Sequence, residues 1–303
     1  MAHSETTGAG GAPRTGAGAG GARRAVLREW DGASYDRISG PMEAMGLAVL
    51  ERMELKGDEL VLDAGCGSGR ITESLLARLP RGRVIAVDQS PSMIEAARAR
   101  LGAAAEPVAG GGGKADAEPV AGGEGAAGRE RRPRVQLRTL DLLELSLEEP
   151  LDAILSTATF HWISDHERLF ARLHAALRPG GALVAQCGGE GNISILRARI
   201  APVMRRDPYA EHFTGFQPPW NYASAELTHE RLTRAGFRSA RCWLAPAPQQ
   251  PDDPREYLST IVLGPHVQRL PVALRGRFMD DALQLLEEPV VVDYVRLNID
   301  ALA

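Results

Sequence analysis

Short apolar runs alternate along this chain with longer stretches in which apolar residues recur every third or fourth position. Val61-Leu62-Asp63-Ala64 reads as a buried strand leading into a glycine-rich turn, after which Ile71, Leu75, Leu76 and Leu79 form the stripe of a helix. Val84 to Asp88 is a second short strand, and a helix over 90–101 follows, with Ser90 as its N-cap and Pro91 in its first turn. Further strands are expected over 134–140, 151–156 and 182–187, with a helix over 165–177 stopped by Arg178-Pro-Gly-Gly181. Beyond Cys187, helices are expected near 193–206 and 224–235, and strands near 239–245 and 290–299. This alternation predicts an α/β fold, with a doubly wound, mostly parallel seven-stranded sheet covered by helices on both faces.

Three segments interrupt the alternation. Residues 1–22 are mostly Gly, Ala, Ser and Thr and are expected to form a disordered tail ahead of one domain over 23–303. Residues 102–133 carry the heptad Ala-Glu-Pro-Val-Ala-Gly-Gly at 105–111 and again at 117–123, and are expected to be a low-complexity insertion. Placed between a helix and the following strand, the insertion should lie at the amino ends of the strands, away from the ligand crevice. Residues 251–289 show helical patterning in 254–263 and 272–288, and are expected to pack over that crevice as a lid. A surface decoration away from the site is the alternative.

Composition narrows the class. A formal net charge of −4 gives no basic footprint for nucleic acid and no polybasic membrane patch. No apolar run approaches the roughly 18 residues of a membrane span, and the first residues lack an apolar signal core. Three cysteines, Cys66, Cys187 and Cys242, suit a reducing compartment better than a disulfide framework. A cytoplasmic protein acting on a small molecule is expected, with no metal site.

The candidate chemistry starts at Asp63-Ala-Gly65-Cys-Gly67-Ser-Gly69-Arg70. Glycines at a strand-to-helix turn let a nucleotide approach the backbone, but the dinucleotide fingerprint wants a small residue where this chain has Arg70. A carboxylate at Asp63 would repel a pyrophosphate and attract an ammonium or sulfonium. Asp88, nineteen residues after Gly69 at a strand end, is placed to accept ribose hydroxyls. The two acids together describe an adenosine bearing a cationic tail.

These residues, with Leu177-Arg-Pro-Gly-Gly181, resemble the Rossmann-like (class I) S-adenosylmethionine-dependent methyltransferases over residues 30–187. The resemblance implies S-adenosylmethionine as cofactor, with Asp63 near its methionine amino group, Gly65 and Gly67 allowing close approach, Asp88 on the ribose and Asp141 beside the adenine. In Trp30-Asp-Gly-Ala-Ser-Tyr35, the aromatic Tyr35 would close over the cofactor, or else anchor the first helix. His161, in the loop after the fourth strand, is the candidate general base and Trp162 a pocket wall; alternatively His161 caps backbone groups while Trp162 packs the next helix. Arginines beyond the cofactor half suit carboxylate recognition, Arg296 among them.

The layout is most similar to the trans-aconitate 2-methyltransferase group, which implies methyl transfer to a carboxylate of a small polyacid. The alternatives are methylation of carbon, nitrogen or hydroxyl in a natural-product intermediate, a non-catalytic cofactor-binding protein, and a nicotinamide oxidoreductase. A nucleic-acid methyltransferase is disfavoured, since Ser156-Thr-Ala-Thr stands where those enzymes carry an Asn/Asp-Pro-Pro-aromatic loop.

Overall fold

The computed structural model describes residues 40–107 and 134–303. The expected tail, Tyr35 and most of the expected insertion lie outside them. The chain runs α1 (Gly40–Glu51), β1 (Leu60–Ala64), α2 (Arg70–Ala77), β2 (Arg83–Asp88), α3 (Pro91–Leu101), β3 (Ala105–Pro107), β4 (Val135–Thr139) and β5 (Leu151–Thr157). It continues with α4 (His166–Ala176), β6 (Leu177–Gly188), α5 (Ser194–Met204), α6 (Ala210–Phe213), α7 (Ala225–Ala235) and β7 (Ser239–Pro246). Three helices, α8 (Pro254–Tyr257), α9 (Gly264–Arg269) and α10 (Val272–Leu283), precede the last strand, β8 (Val295–Leu302).

The strands form one sheet in the order β3-β4-β2-β1-β5-β6-β8-β7. All neighbours are parallel except β8, which runs antiparallel to both β6 and β7. The order reverses beside β1, so the carboxyl ends of β1, β2 and β5 frame the crevice where doubly wound sheets bind ligands.

The alternation along β1 decides what each face buries. Leu60, Leu62 and Ala64 enter a core with Phe160, Leu169, Phe170 and Leu173, while Val61 enters the opposite core with Val49, Leu75 and Ile94. Asp63 shares the parity of Val61 and so faces the side of α2. Caps agree with the sequence: Ser90 accepts the Met93 N–H at the head of α3, and Asp165 accepts the Arg168 N–H at the head of α4.

Four expectations need correction. The sheet has an eighth strand, because Ala105–Pro107 pairs with Val135–Leu137 at the edge, within the first residues of the expected insertion. Since that pairing is parallel, the chain at Pro107 is already heading toward the carboxyl ends of the strands, not away from the crevice. The Arg178-Pro-Gly-Gly181 stop lies inside β6, where Leu177 pairs with Leu151 before a register shift. Finally, β8 starts at Val295, five residues later than the apolar run at Val290 suggests. Asp293 explains the delay, since its carboxylate accepts the Ile195 and Leu196 N–H groups at 2.7 and 3.1 Å and so caps α5; Val292 only bridges Gln249.

A third core lies apart from the sheet. It joins Leu196, Ile200 and Val203 of α5 to Tyr257, Leu258, Phe278 and Met279 of the later helices, with Met42 and Met45 of α1 packed against it. Helices thus arise from 193–213 as well as from 251–289. At the far edge, β7 pairs with β8 alone among the described strands, and its Trp243 ring lies under the guanidinium groups of Arg241 and Arg52 at 4.6 and 5.1 Å.

Candidate active site

The glycine turn is set by two backbone contacts. The N–H groups of Gly65 and Cys66 both donate to the Val87 carbonyl, at 2.8 and 3.0 Å, which ties the turn to the end of β2. Gly65 has φ +86°, and a Cβ there would fall 2.1 Å from Thr159 Oγ1, so the loop after β5 closes down on it. Gly67, at φ +54°, has nothing within 4 Å of where a Cβ would be. Open space therefore lies over Gly67, a cradle for a flat ligand. The adjoining cavity, about 70 Å³, is lined by Met42, Gly65, Gly67, Arg70, Thr157 and Ala158 among others. It is closed well below the ~300–1,000 Å³ of a ligand site, and Glu43 of α1 seals its rim through a 2.6 Å contact with Arg70. A wider open groove of about 490 Å³ lies elsewhere, between α7 and β7, and gathers none of these groups.

The acids differ in kind. Asp88 accepts the Gly67 N–H at 3.0 Å and the Ser90 N–H at 2.8 Å, and burial pushes its pKa up against the pull of those amides. Asp63 is 1% exposed and accepts the Thr72 hydroxyl at 2.7 Å. Burial lifts its pKa to about 6, opposed by Thr72 and reinforced by the Asp88 charge. Its carboxylate is buried on the α2 side of β1, two residues before the first glycine of the turn. Asp141, at the end of β4, accepts the Leu143 N–H at 2.9 Å and caps a single 3₁₀ turn.

Above the turn, Ala158 holds φ +54° beside the cavity, a conformation costing about 1–2 kcal/mol for a residue with a Cβ. His161 follows on a 3₁₀ turn, where its Nδ1 accepts the Gly188 N–H at 3.3 Å. Burial, with Arg296 and His166 nearby, holds its pKa down to about 3. The ring is neutral at physiological pH, and its contact with the Gly188 N–H has the form of a backbone cap. Trp162 sits between His161 and Trp220, with centroids 5.1 and 6.2 Å away.

Arg296 is the buried cation of this region, 4% exposed on β8. Its Nε and Nη2 point to the thioether sulfurs of Met45 and Met42, at 3.2 and 3.4 Å, and its guanidinium lies 4.6 Å over the Tyr294 ring. No carboxylate among the described residues pairs with it. Its neighbours are neutral: burial pushes the hydroxyls of Tyr222, Tyr257 and Tyr294 up, and the Cys187 thiol up to about 12.

Residues 62–185 match the methyltransferase domain family. Two bacterial relatives named trans-aconitate 2-methyltransferase are similar along much of the chain. The Methylobacterium nodulans protein is 27% identical over 73% of this chain and 69% of its own length. The Paracidovorax citrulli protein is 29% identical over 84% and 87%. A phosphoethanolamine N-methyltransferase structure from Haemonchus contortus, in complex with S-adenosylhomocysteine, matches the fold at TM-score 0.54 and 18% identity, over 90% of this chain and 56% of that one. The domain match and these relatives support an S-adenosylmethionine-dependent methyltransferase of class I.

S-adenosylmethionine is accordingly the cofactor of this methyltransferase, and the residues present fit it, with open space over Gly67 and Asp88 beside it. The structure brings Asp63, Gly65, Gly67 and Asp88 together at one turn, and His161, with Trp162 beside it, near Arg296, which reaches α1 through Met42 and Met45. Sequence reasoning missed Met42, Met45, Tyr222 and Tyr257. Met42 and Met45 carried a signal in their three-residue spacing, which puts both on one helix face. Tyr222 and Tyr257 lie in segments whose packing on Arg296 no local pattern announces.

Proposed function

We propose that this methyltransferase esterifies a carboxylate of a small organic acid. The observation that carries the reading is Arg296, a desolvated cation with no acid paired to it among the described residues, set among neutral groups on the far side of Met42 from the glycine turn. A charged acceptor would supply the missing anion. The naming of the relatives for trans-aconitate, a tricarboxylic acid, supports the same class.

When bound, S-adenosylmethionine supplies a methyl group activated on a sulfonium; the acceptor oxygen forms the new bond with a lone pair while the sulfur keeps the electrons of the old one. In this reading Gly65 and Gly67 give the cofactor close backbone approach, Asp88 holds the ribose hydroxyls and Asp141 lies by the adenine. Asp63 lies near the methionine amino group, and Tyr35 closes over the cofactor. The helices of 193–213 and 251–289, resting on α1 through Met42 and Met45, exclude water as a lid. A carboxylate needs no base near neutral pH, so the reading does not require His161 to act as one. The cytoplasmic setting and the domain limits of 23–303 belong to the same reading.

The test is a panel of mono-, di- and tricarboxylic acids incubated with the protein and S-adenosylmethionine, read by mass for a gain of one methyl group. Turnover of acids supports the reading; methylation of phenols or amines with none of acids overturns it.

A further inference from the structure

Arg296, 4% exposed, stands apart from the half-buried arginines Arg52 and Arg70. Arg52 pairs with Asp300 at 3.1 Å and donates to Asn298 Oδ1 and the Ala185 carbonyl. Arg70 pairs with Glu43 at 2.6 Å. Among the described residues Arg296 has two thioethers and a ring face. Thioether sulfur is a weak acceptor, and a buried ion without a counter-ion costs several kcal/mol. Met42 and Met45 are also the easiest side chains here to displace, being unbranched with three rotatable bonds. Met42 lines the cavity over the glycine turn as well as touching Arg296. A ligand that moves it joins the two.

Resting on the function proposed above, we propose that Arg296 grips the carboxylate of the acceptor that is not methylated, in place of the thioethers of Met42 and Met45. The site thereby selects acids with a second carboxylate. The charge balance of the reaction dictates which carboxylate Arg296 holds. An oxygen that accepts a methyl group loses its negative charge on the way to the ester. A cation paired with that oxygen would stabilise the ground state more than the transition state and slow the step. A cation on a second, spectator carboxylate keeps its full interaction throughout, so its binding energy positions the reacting oxygen. The Tyr257 and Tyr294 hydroxyls, 3.1 Å from each other, are on hand to donate to the same spectator. Arg296 is in these terms a specificity-determining residue.

The test compares a dicarboxylic acid with its own monoamide, in which one carboxylate becomes a neutral group of the same shape. Wild-type protein should prefer the diacid by about 100-fold in kcat/KM, the scale of a lost buried charge pair. In Arg296→Met that preference should collapse to about 3-fold, through loss of diacid turnover. Binding of S-adenosylhomocysteine by calorimetry should stay within about 3-fold, and Arg296→Lys should keep part of the preference. Equal turnover of diacid and monoamide by wild type overturns the grip while leaving acid methylation standing, and needs no variant to fold. An unchanged preference in a folded Arg296→Met overturns it as well. If no acid turns over at all, the function reading falls first.

Discussion

The two ends of this site are built in different ways. The cofactor end comes from one continuous stretch, residues 63–88, in which a strand, a turn and the next strand place Gly65, Gly67 and Asp88 by backbone hydrogen bonds. The Arg296 end is assembled from far-apart pieces: Met42 and Met45 from α1, His161 after β5, Tyr222 ahead of α7, Tyr257 in α8 and Arg296 in β8. The first end is stiff because its geometry is local. The second depends on side-chain packing between elements, and so offers the freedom to change acceptor without disturbing the donor.

That contrast is most sharply broken at Gly65. Gly65→Ala must clear the 2.1 Å clash with Thr159 at φ +86°, at a cost of about 3 kcal/mol. A lower urea midpoint together with lost S-adenosylhomocysteine binding is the expected result, and unchanged binding would show that the loop after β5 is softer than its packing indicates. Asp88→Asn comes next: cofactor affinity should fall about 30-fold, measured by calorimetry, with the KM for the acid nearly unmoved. A matching rise in both constants would mean that the two ends are coupled.

Acid should strain the acceptor end through its histidines. Burial holds His161 down to about 3 and His266 down to about 4, against an unfolded value near 6.5. The unfolded chain therefore binds more protons in the window between, so their stabilisation is complete above about pH 6.5 and is lost as pH falls toward 4. Asp63, lifted to about 6, acts in the opposite sense, because the native protein holds the additional proton between its unfolded value and that pH. The urea midpoint should decline from pH 6.5 to 4, and Asp63→Asn should steepen the decline. The smallest effect is expected at His161. His161→Gln, which can still accept the Gly188 N–H, should keep turnover within about 5-fold, whereas a general base would cost about 100-fold or more.

Legibility in the sequence followed the same division. The strand-turn-helix at 61–79, the acid at Asp88 and the parallel order of the first strands rest on local periodicity and turn chemistry, and these were readable. The parity of Asp63 with Val61 places it on the α2 side of β1, while nothing local in the sequence announces the Thr72 hydroxyl that it accepts. His161 was visible as a histidine in the right loop; its depressed pKa was not, because it arises from burial and from an arginine 135 positions later. The start of β8 was misplaced because Val290-Val-Val reads as strand until Asp293 is seen capping a helix a hundred residues earlier. Arg296 could be named as a candidate, yet only its partners make it unusual.

The open strand at the sheet's far edge has a practical consequence. A free strand edge is a template on which another chain can pair, and among the described strands β7 presents one. It carries Arg241 over Trp243 and ends at Pro246, so an approaching strand meets a fixed cation and then a residue with no N–H to offer. With a pI near 6.0, long-range repulsion between copies vanishes in mildly acidic buffer. There that charged edge is the local barrier to self-pairing, and concentrated solutions of this protein will be clearest well above that pH.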